Sequence, residues 1–253
     1  MSELTAKTVF ITGASRGIGA ATALRFAQAG ARRFILHYNS YQPGAEEAAH
    51  SIRSLGAETH LIRADFASAE GIEEGIAAYR QLGFDADILI NNAGSLVQRA
   101  KLPEFTSDLF DRVFNLNVKS AYFLAQAVAP AMVSKRAGHI INLSSIAARN
   151  GGGSGATVYA AAKAAVAAIT KGLAKELAPG GVRVNAVSPG TVDNYFHEQF
   201  SSRQLLDSVI AQTPAGKLGD NEEVADTILF LCTEPSRYIY GQTIEINGGM
   251  YMV

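Results

Sequence analysis

The sequence predicts a single α/β domain, a doubly wound parallel sheet of seven strands with helices on both faces. Three observations carry this. Short apolar runs of strand length alternate along the chain with longer runs of helical period. Several of the short runs are continuously apolar, the pattern of strands covered on both faces of a parallel sheet. A glycine-rich turn also follows the first strand and opens at once into a helix.

The expected strands are Thr8–Thr12, Phe34–Tyr38, Glu58–Arg63, Ile88–Asn91, His139–Leu143, Val182–Val187 and Thr243–Ile246. Helical patterns fill the gaps at Gly19–Ala29, Ala45–Leu55, Ala69–Leu82, Ser107–Ser134, Val158–Leu177, Arg203–Ala211 and Glu222–Leu231. These elements use the whole length, and no linker, charge block or repeat divides it, so residues 1–253 read as one domain. Two stretches are irregular. Arg149–Gly155 carries four glycines in seven residues and must be a loop. The region from about 190 to 218 is a long connection after the sixth strand, with a helix-like piece around Phe196, Phe200, Leu205 and Leu206. Ligands of such sheets bind at the strands' C-terminal ends, so this is the expected substrate loop.

Composition narrows the function. With 22 Lys+Arg against 23 Asp+Glu, the 253-residue chain has a formal net charge of −1, which offers no footprint for nucleic acid or an anionic membrane. Hydrophobic residues make up 48%, enough for a large core and too many for a disordered chain. The lone Cys232 cannot close an internal disulfide and suits a reducing compartment, so the expected location is the cytoplasm. The uncharged stretch Ser120–Ser134 is too short to span a membrane and contains Pro130, while Glu3 and Lys7 leave no apolar leader ahead of the first strand. The five histidines show no metal-ligand spacing, and no metal site is expected. His139 reads as structural, and His197 as a surface residue near the substrate loop. A serine-hydrolase elbow is also missing, since Gly152-Gly153-Ser154-Gly155-Ala156 fails at its last position.

The first strand ends in Thr12-Gly13-Ala14-Ser15-Arg16-Gly17-Ile18-Gly19. Glycines there let a pyrophosphate approach the backbone, and the following helix presents free N–H groups and a partial positive charge to it. Tyr159 and Lys163 stand four residues apart on an alanine-rich helix and so share a face. A neighbouring ammonium favours the phenolate and brings a tyrosine toward the working range for acid–base chemistry. Ser144 and Ser145 end the fifth strand, where a hydroxyl can donate to a carbonyl oxygen gaining negative charge.

Taken in order, Thr12–Gly19, Asp65, Asn91-Asn92-Ala93-Gly94, Asn117, Ser145, Tyr159-x3-Lys163 and Pro189-Gly190 resemble the short-chain dehydrogenase/reductase family from Thr8 to Gly249. The resemblance implies a Rossmann-type fold and a catalytic set of Asn117, Ser145, Tyr159 and Lys163. Tyr159 would exchange the proton with the substrate oxygen, and Lys163 would also bond the nicotinamide ribose. Asn117 would anchor a water that relays protons. The family usually separates this serine and tyrosine by 13 positions. Here Ser145 and Tyr159 are 14 apart, which keeps Ser144 as an alternative and suggests an altered lip over the substrate.

Cofactor contacts follow the same resemblance: Gly13, Ser15, Arg16, Gly17, Ile18 and Gly19 at the pyrophosphate, then Asp65 and Phe66 beside the adenine. Asn92, Ala93 and Gly94 would flank the adenosine, and Pro189, Gly190, Thr191 and Val192 would meet the nicotinamide, with Asn194 able to donate to a phosphate or amide. The second strand ends Tyr38-Asn39-Ser40, with Tyr38 where NAD-specific members carry an acid, while Arg16 supplies a cation. Missing acid and present cation give NADP(H), with Asn39 and Ser40 as neutral donors. The expected protein is an NADP(H)-dependent carbonyl reductase or alcohol dehydrogenase, most similar to 3-oxoacyl-(acyl-carrier-protein) reductases. Spare apolar surface on the helices at 107–134 and 158–177 implies a homo-oligomer, tetramer or dimer. An extended-branch epimerase or dehydratase is the alternative, though that branch uses a different glycine spacing and a longer substrate domain. A non-catalytic dinucleotide sensor is the other, and would not be expected to keep all four catalytic residues.

Overall fold

The computed structural model describes residues 4–252; Glu3, one of the charges ahead of the first strand, lies outside them. The strands β1 (Thr8–Ile11), β2 (Arg33–Tyr38), β3 (Glu58–Arg63), β4 (Ile88–Asn91), β5 (Gly138–Leu143), β6 (Val182–Pro189) and β7 (Thr243–Ile246) form one sheet. Their order is β3-β2-β1-β4-β5-β6-β7, and every pairing is parallel. The order reverses between β1 and β4, which pair as Val9 with Ile88 and Ile11 with Ile90. The C-terminal ends of these two strands therefore open a crevice at a topological switch point.

Apolar side chains alternate between two packed layers. Phe34 and Leu36 of β2 join Phe26 of α1 (Gly17–Gln28), Ile52 of α2 (Gln42–Arg53) and Ile228 of the late helix Asn221–Leu231 on one face. Ile35 joins Ile72 and Tyr79 of α3 (Ala69–Gln81) and helical residues Leu124, Val128 and Met132 on the other. Both faces of the central strands are dry, which is why their sequences are apolar at every position.

The expected single helix over 107–134 is interrupted. It runs as α4 (Ser107–Phe114), a π-turn over Asn115–Lys119 and α5 (Ser120–Lys135). The π-turn carries Asn117, and such insertions commonly mark functional positions in helices. The Gly-rich stretch begins with a helical turn, α6 (Ala147–Asn150), and ends at α7 (Thr157–Leu177). Gly155 has φ +75°, and a Cβ there would sit 2.8 Å from Arg99 Cγ. A glycine is needed for the strand-end loop to lie against residues 99–100, and Arg99 Nη1 donates to Ser154 O at 2.6 Å. After β6 the substrate-loop region forms α8 (Tyr195–Phe200) and α9 (Arg203–Gln212), followed by α10 (Asn221–Leu231). None of the described helices is long and apolar enough to cross a membrane.

Candidate active site

The strand ends at the switch point open into a cleft of about 940 Å³. Gly13, Arg16, Asn39, Ala93, Ser145, Tyr159, Lys163 and Thr191 line it, with the lid segment α8–α9 along one side. β5 delivers two serines with different duties. Ser144 is buried and its Oγ donates to Lys163 O at 2.9 Å, so it ties β5 to α7. Ser145 lines the cleft, accepts from Ala147 N at 3.1 Å and hydrogen-bonds the Tyr159 phenol. The serine that faces the tyrosine is thus Ser145.

Lys163 sits one turn after Tyr159 on α7 and is 3% exposed. Its Nζ donates to Leu143 O at 2.8 Å and lies 5.7 Å from the centre of the Tyr159 ring. Burial alone pulls its pKa down to about 8. The Tyr159 ring is partly open to the cleft while its hydroxyl is desolvated. That desolvation pushes the phenol up to about 12, against the opposing pull of the Ser145 hydrogen bond. The expected lowering of this phenol by Lys163 is therefore not what the structure gives. The lysine is committed to the β5 carbonyl, and desolvation of the phenolate dominates.

Asn117 is buried in the π-turn, its Nδ2 donating to Ser95 O at 2.9 Å and Val113 O at 2.8 Å. Its Oδ1 is buried with no hydrogen-bond partner among the described residues. Gly94 lies against both Asn117 and Lys163: a Cβ at that position would be 2.7 Å from Asn117 Oδ1 and 2.8 Å from Lys163 Nζ. A buried acceptor and a buried ammonium thus meet at one glycine, an arrangement that a bridging water would satisfy. Behind it, Asn91 Nδ2 donates to Asn142 Oδ1 at 2.9 Å, and Asn142 Nδ2 to Thr170 Oγ1 at 2.9 Å, joining β4, β5 and α7 by a buried polar chain.

The other half of the cleft suits a dinucleotide. The N-cap of α1 is Arg16, which supplies no side-chain acceptor, so the first N–H groups of that helix are left for an anion. Asn92 Nδ2 donates to Thr12 O at 2.8 Å and Gly13 O at 3.0 Å, and Thr12 Oγ1 accepts from Asn92 N and Ala93 N. These bonds hold the glycine turn against β4. Ser15, Gly17, Ile18, Ser40, Phe66, Pro189, Gly190 and Val192 also line the cleft.

Tyr38 differs from expectation: it is 7% exposed and packed in the protein, and Tyr41 stands on the cleft wall instead. Side chains alternate along β2, so Asn39, the next residue, faces the cleft. Asp65 is off the wall as well; it accepts from Asn39 Nδ2 at 3.1 Å and Ala67 N at 3.0 Å and so fixes the strand ends. Asn194 is spent on structure, since its Oδ1 caps α8 at Phe196 N and its Nδ2 donates to Asn221 Oδ1 at 3.1 Å.

Two cleft residues were not singled out by motif. The His37 ring stacks on Phe66 at 3.8 Å, accepts from Gly13 N at Nδ1 and bonds Ala64 O through Nε2. Burial lowers its pKa to about 4, so it stays neutral and braces the glycine turn. Its position next to Tyr38 at a strand end was the available signal. Tyr41 carried none, because its role depends on where α2 begins. His197 lines the cleft and accepts or donates at Ser201 Oγ, 2.9 Å away, with burial and Arg99 lowering its pKa to about 4. His139 is half-buried on β5, where desolvation pulls its pKa down to about 3 and it stays neutral, a structural residue. The described residues contain no metal-ligating cluster.

Comparison with known proteins agrees with this geometry. The family model for enoyl-(acyl carrier protein) reductase matches residues 13–251. A 3-oxoacyl-[acyl-carrier-protein] reductase of Staphylococcus epidermidis is 37% identical over 250 residues, covering 97% of this chain and 99% of that protein. The crystal structure of a 3-oxoacyl-[acyl-carrier protein] reductase with bound NAD from Brucella melitensis superposes with a TM-score of 0.88 at 31% identity, covering 100% of this chain and 93% of that one. A putative gluconate dehydrogenase from Agrobacterium tumefaciens gives a TM-score of 0.90 at 30% identity, covering 99% and 98%. With the glycine turn, the serine, the tyrosine and the lysine gathered in one cleft, the chain belongs to the short-chain dehydrogenase/reductase family of oxidoreductases.

Proposed function

We propose that the protein is an NADP(H)-dependent carbonyl reductase acting on 3-oxoacyl thioesters and working in the cytoplasm as one catalytic domain. The observation that carries this reading is the meeting of Ser145 and Tyr159 at the cleft floor, with Lys163 behind them. A bound nicotinamide dinucleotide would supply the hydride. Ser145 then donates a hydrogen bond to the substrate oxygen, where negative charge develops. Tyr159, a phenol at neutral pH because of its raised pKa, gives that oxygen its proton. Lys163 and Asn117, which meet beside Gly94, support proton return to Tyr159. Leu96, Phe196, Phe200, Leu205 and Val209 offer an apolar wall for an acyl chain. Oxidation of NADPH with acetoacetyl, aromatic and diketone substrates tests the reading. Acetoacetyl thioester should be reduced, and activity on crotonyl thioester alone would replace it with enoyl reduction.

The raised phenol pKa makes the two directions respond differently to pH. Alcohol oxidation needs the phenolate, whose fraction grows tenfold per pH unit below a pKa of about 12. The oxidation kcat/KM should climb steadily from roughly pH 7 to 10, while reduction stays flat through the neutral range. A plateau in oxidation near pH 8 would contradict a phenol raised by burial.

For the cofactor, support comes from Arg16 on the wall, with neutral Asn39 and Ser40 beside it and no acid lining that part of the cleft. Charge-assisted bonds to a phosphate contribute about 1.5–3 kcal/mol. Arg16→Gln should therefore raise KM for NADPH roughly 10- to 100-fold while changing that for NADH less than about threefold. Faster turnover with NADH than with NADPH in the wild type would overturn the assignment.

A homo-oligomer, dimer or tetramer, fits the helices flanking the site. Phe110 stacks on Phe114 at 4.7 Å, and Phe110, Tyr122, Phe123 and Val133 are all exposed. Sedimentation at micromolar protein would distinguish it from a monomer.

A further inference from the structure

The guanidinium of Arg16 packs against two tyrosines. Its Cζ is 4.1 Å from the centre of the Tyr41 ring and 3.9 Å from the centre of the Tyr195 ring. Both contacts set the cation over the face of an aromatic ring. Among the described residues no carboxylate pairs with it and no acceptor takes its N–H groups. A planar cation held over two rings keeps its N–H donors unused, and those donors can bind phosphate bidentately.

The two rings are fixed independently of the arginine. Tyr41 is the N-cap of α2 and lies so close over Gly44 that a Cβ there would overlap its ring. Tyr195 opens α8, and its Oη accepts from Gln199 Nε2 at 2.6 Å, one turn further on. Asn194 caps the same helix and binds Asn221 of α10. The neighbouring ring of Phe196 is 5.7 Å from that of Tyr159. One short helix thus touches the cation at the adenosine end of the cleft with Tyr195 and the catalytic ring with Phe196.

We infer that Tyr41 and Tyr195 are specificity-determining positioning residues, which clamp Arg16 for the adenosine 2′-phosphate and make the substrate lid part of that phosphate's receptor. The inference rests on the NADP(H) reading. Without the clamp, Arg16 must give up side-chain freedom when it binds, so affinity for the phosphorylated ribose falls and affinity for the unphosphorylated one does not.

The test is calorimetric binding of two fragments that lack nicotinamide, 2′,5′-ADP and 5′-AMP, to the full chain. Wild type should bind 2′,5′-ADP at least about tenfold more tightly. Tyr195→Leu and, separately, Tyr41→Leu should cut that ratio roughly three- to tenfold, with 5′-AMP unchanged, and Tyr41→Phe should keep it. An unchanged ratio in both leucine variants, or equal weakening of both fragments, overturns the clamp. Arg16→Gln separates the two ideas. If it abolishes the preference while Tyr195→Leu and Tyr41→Leu do not, the NADP(H) reading stands and the clamp fails. If wild type binds both fragments equally, the NADP(H) reading fails and takes the clamp with it.

Discussion

Tyr159→Phe should lower kcat for carbonyl reduction by about 10³-fold and leave NADPH affinity within about twofold. The substitution removes one hydroxyl and keeps the ring that packs 5.7 Å from Phe196, so the cleft's shape is unchanged. What it removes is the proton donor. The phenol is held in its protonated form by burial, with a pKa near 12, so it is fully loaded for reduction at neutral pH. Ser145 keeps its bond from Ala147 N and can still polarise the substrate oxygen, which is why a residual rate from positioning and the hydride donor is expected. Stopped-flow reduction of acetoacetyl thioester, with NADPH titrated by fluorescence in the same preparation, measures both quantities. If kcat falls less than about tenfold, the proton comes from elsewhere and Tyr159 is a wall residue.

This expectation is legible in the sequence because the residues that carry it lie in local patterns. A one-turn spacing on a helix puts Tyr159 and Lys163 on the same side whatever surrounds them, and a serine at the end of a buried strand must face the crevice or the helix behind it. The sheet was legible for the same reason, since dry strands leave continuous apolar runs. Electrostatics was less legible. Proximity of a lysine suggested a lowered phenol, but the sign depends on where Nζ points, and Leu143 O takes it. Tyr38 turns into the protein rather than the cleft because the facing of a strand's last residue depends on register, and a shift of one position exchanges wall for core. The π-turn at Asn117 leaves no signal in periodicity, since one extra residue in a helical turn moves the apolar stripe by too little to see. The Tyr41–Arg16–Tyr195 stack joins three segments far apart in sequence, and only their packing brings them together.

Gly94→Ala should be the most damaging change that leaves every catalytic side chain in place. The methyl group would arrive 2.7 Å from Asn117 Oδ1 and 2.8 Å from Lys163 Nζ, well inside contact distance. Neither atom can swing away freely. Asn117 is pinned by two bonds from its Nδ2, to Ser95 O and Val113 O, and Lys163 is tethered to Leu143 O. The methyl also fills the gap in which the buried Asn117 oxygen, unpaired among the described residues, would find its partner. Displacing such groups by an ångström can cost about 10²-fold in rate, so kcat should fall roughly 30- to 100-fold. Backbone conformation is no obstacle, because Gly94 is not among the glycines with positive φ; the crowding itself should cost about 1–3 kcal/mol, a few degrees in melting temperature for a domain of this size. The contrast is Gly19→Ala, whose Cβ would overlap the carbonyl oxygen of Gly13. Backbone cannot yield as a side chain can, so that change should loosen the turn, weaken NADPH binding and lower the melting temperature together. A Gly94→Ala protein that melts within a few degrees of wild type, binds NADPH and turns over slowly fits the site as described; one that keeps full activity shows that Lys163 and Asn117 do not act from the positions they hold beside this glycine.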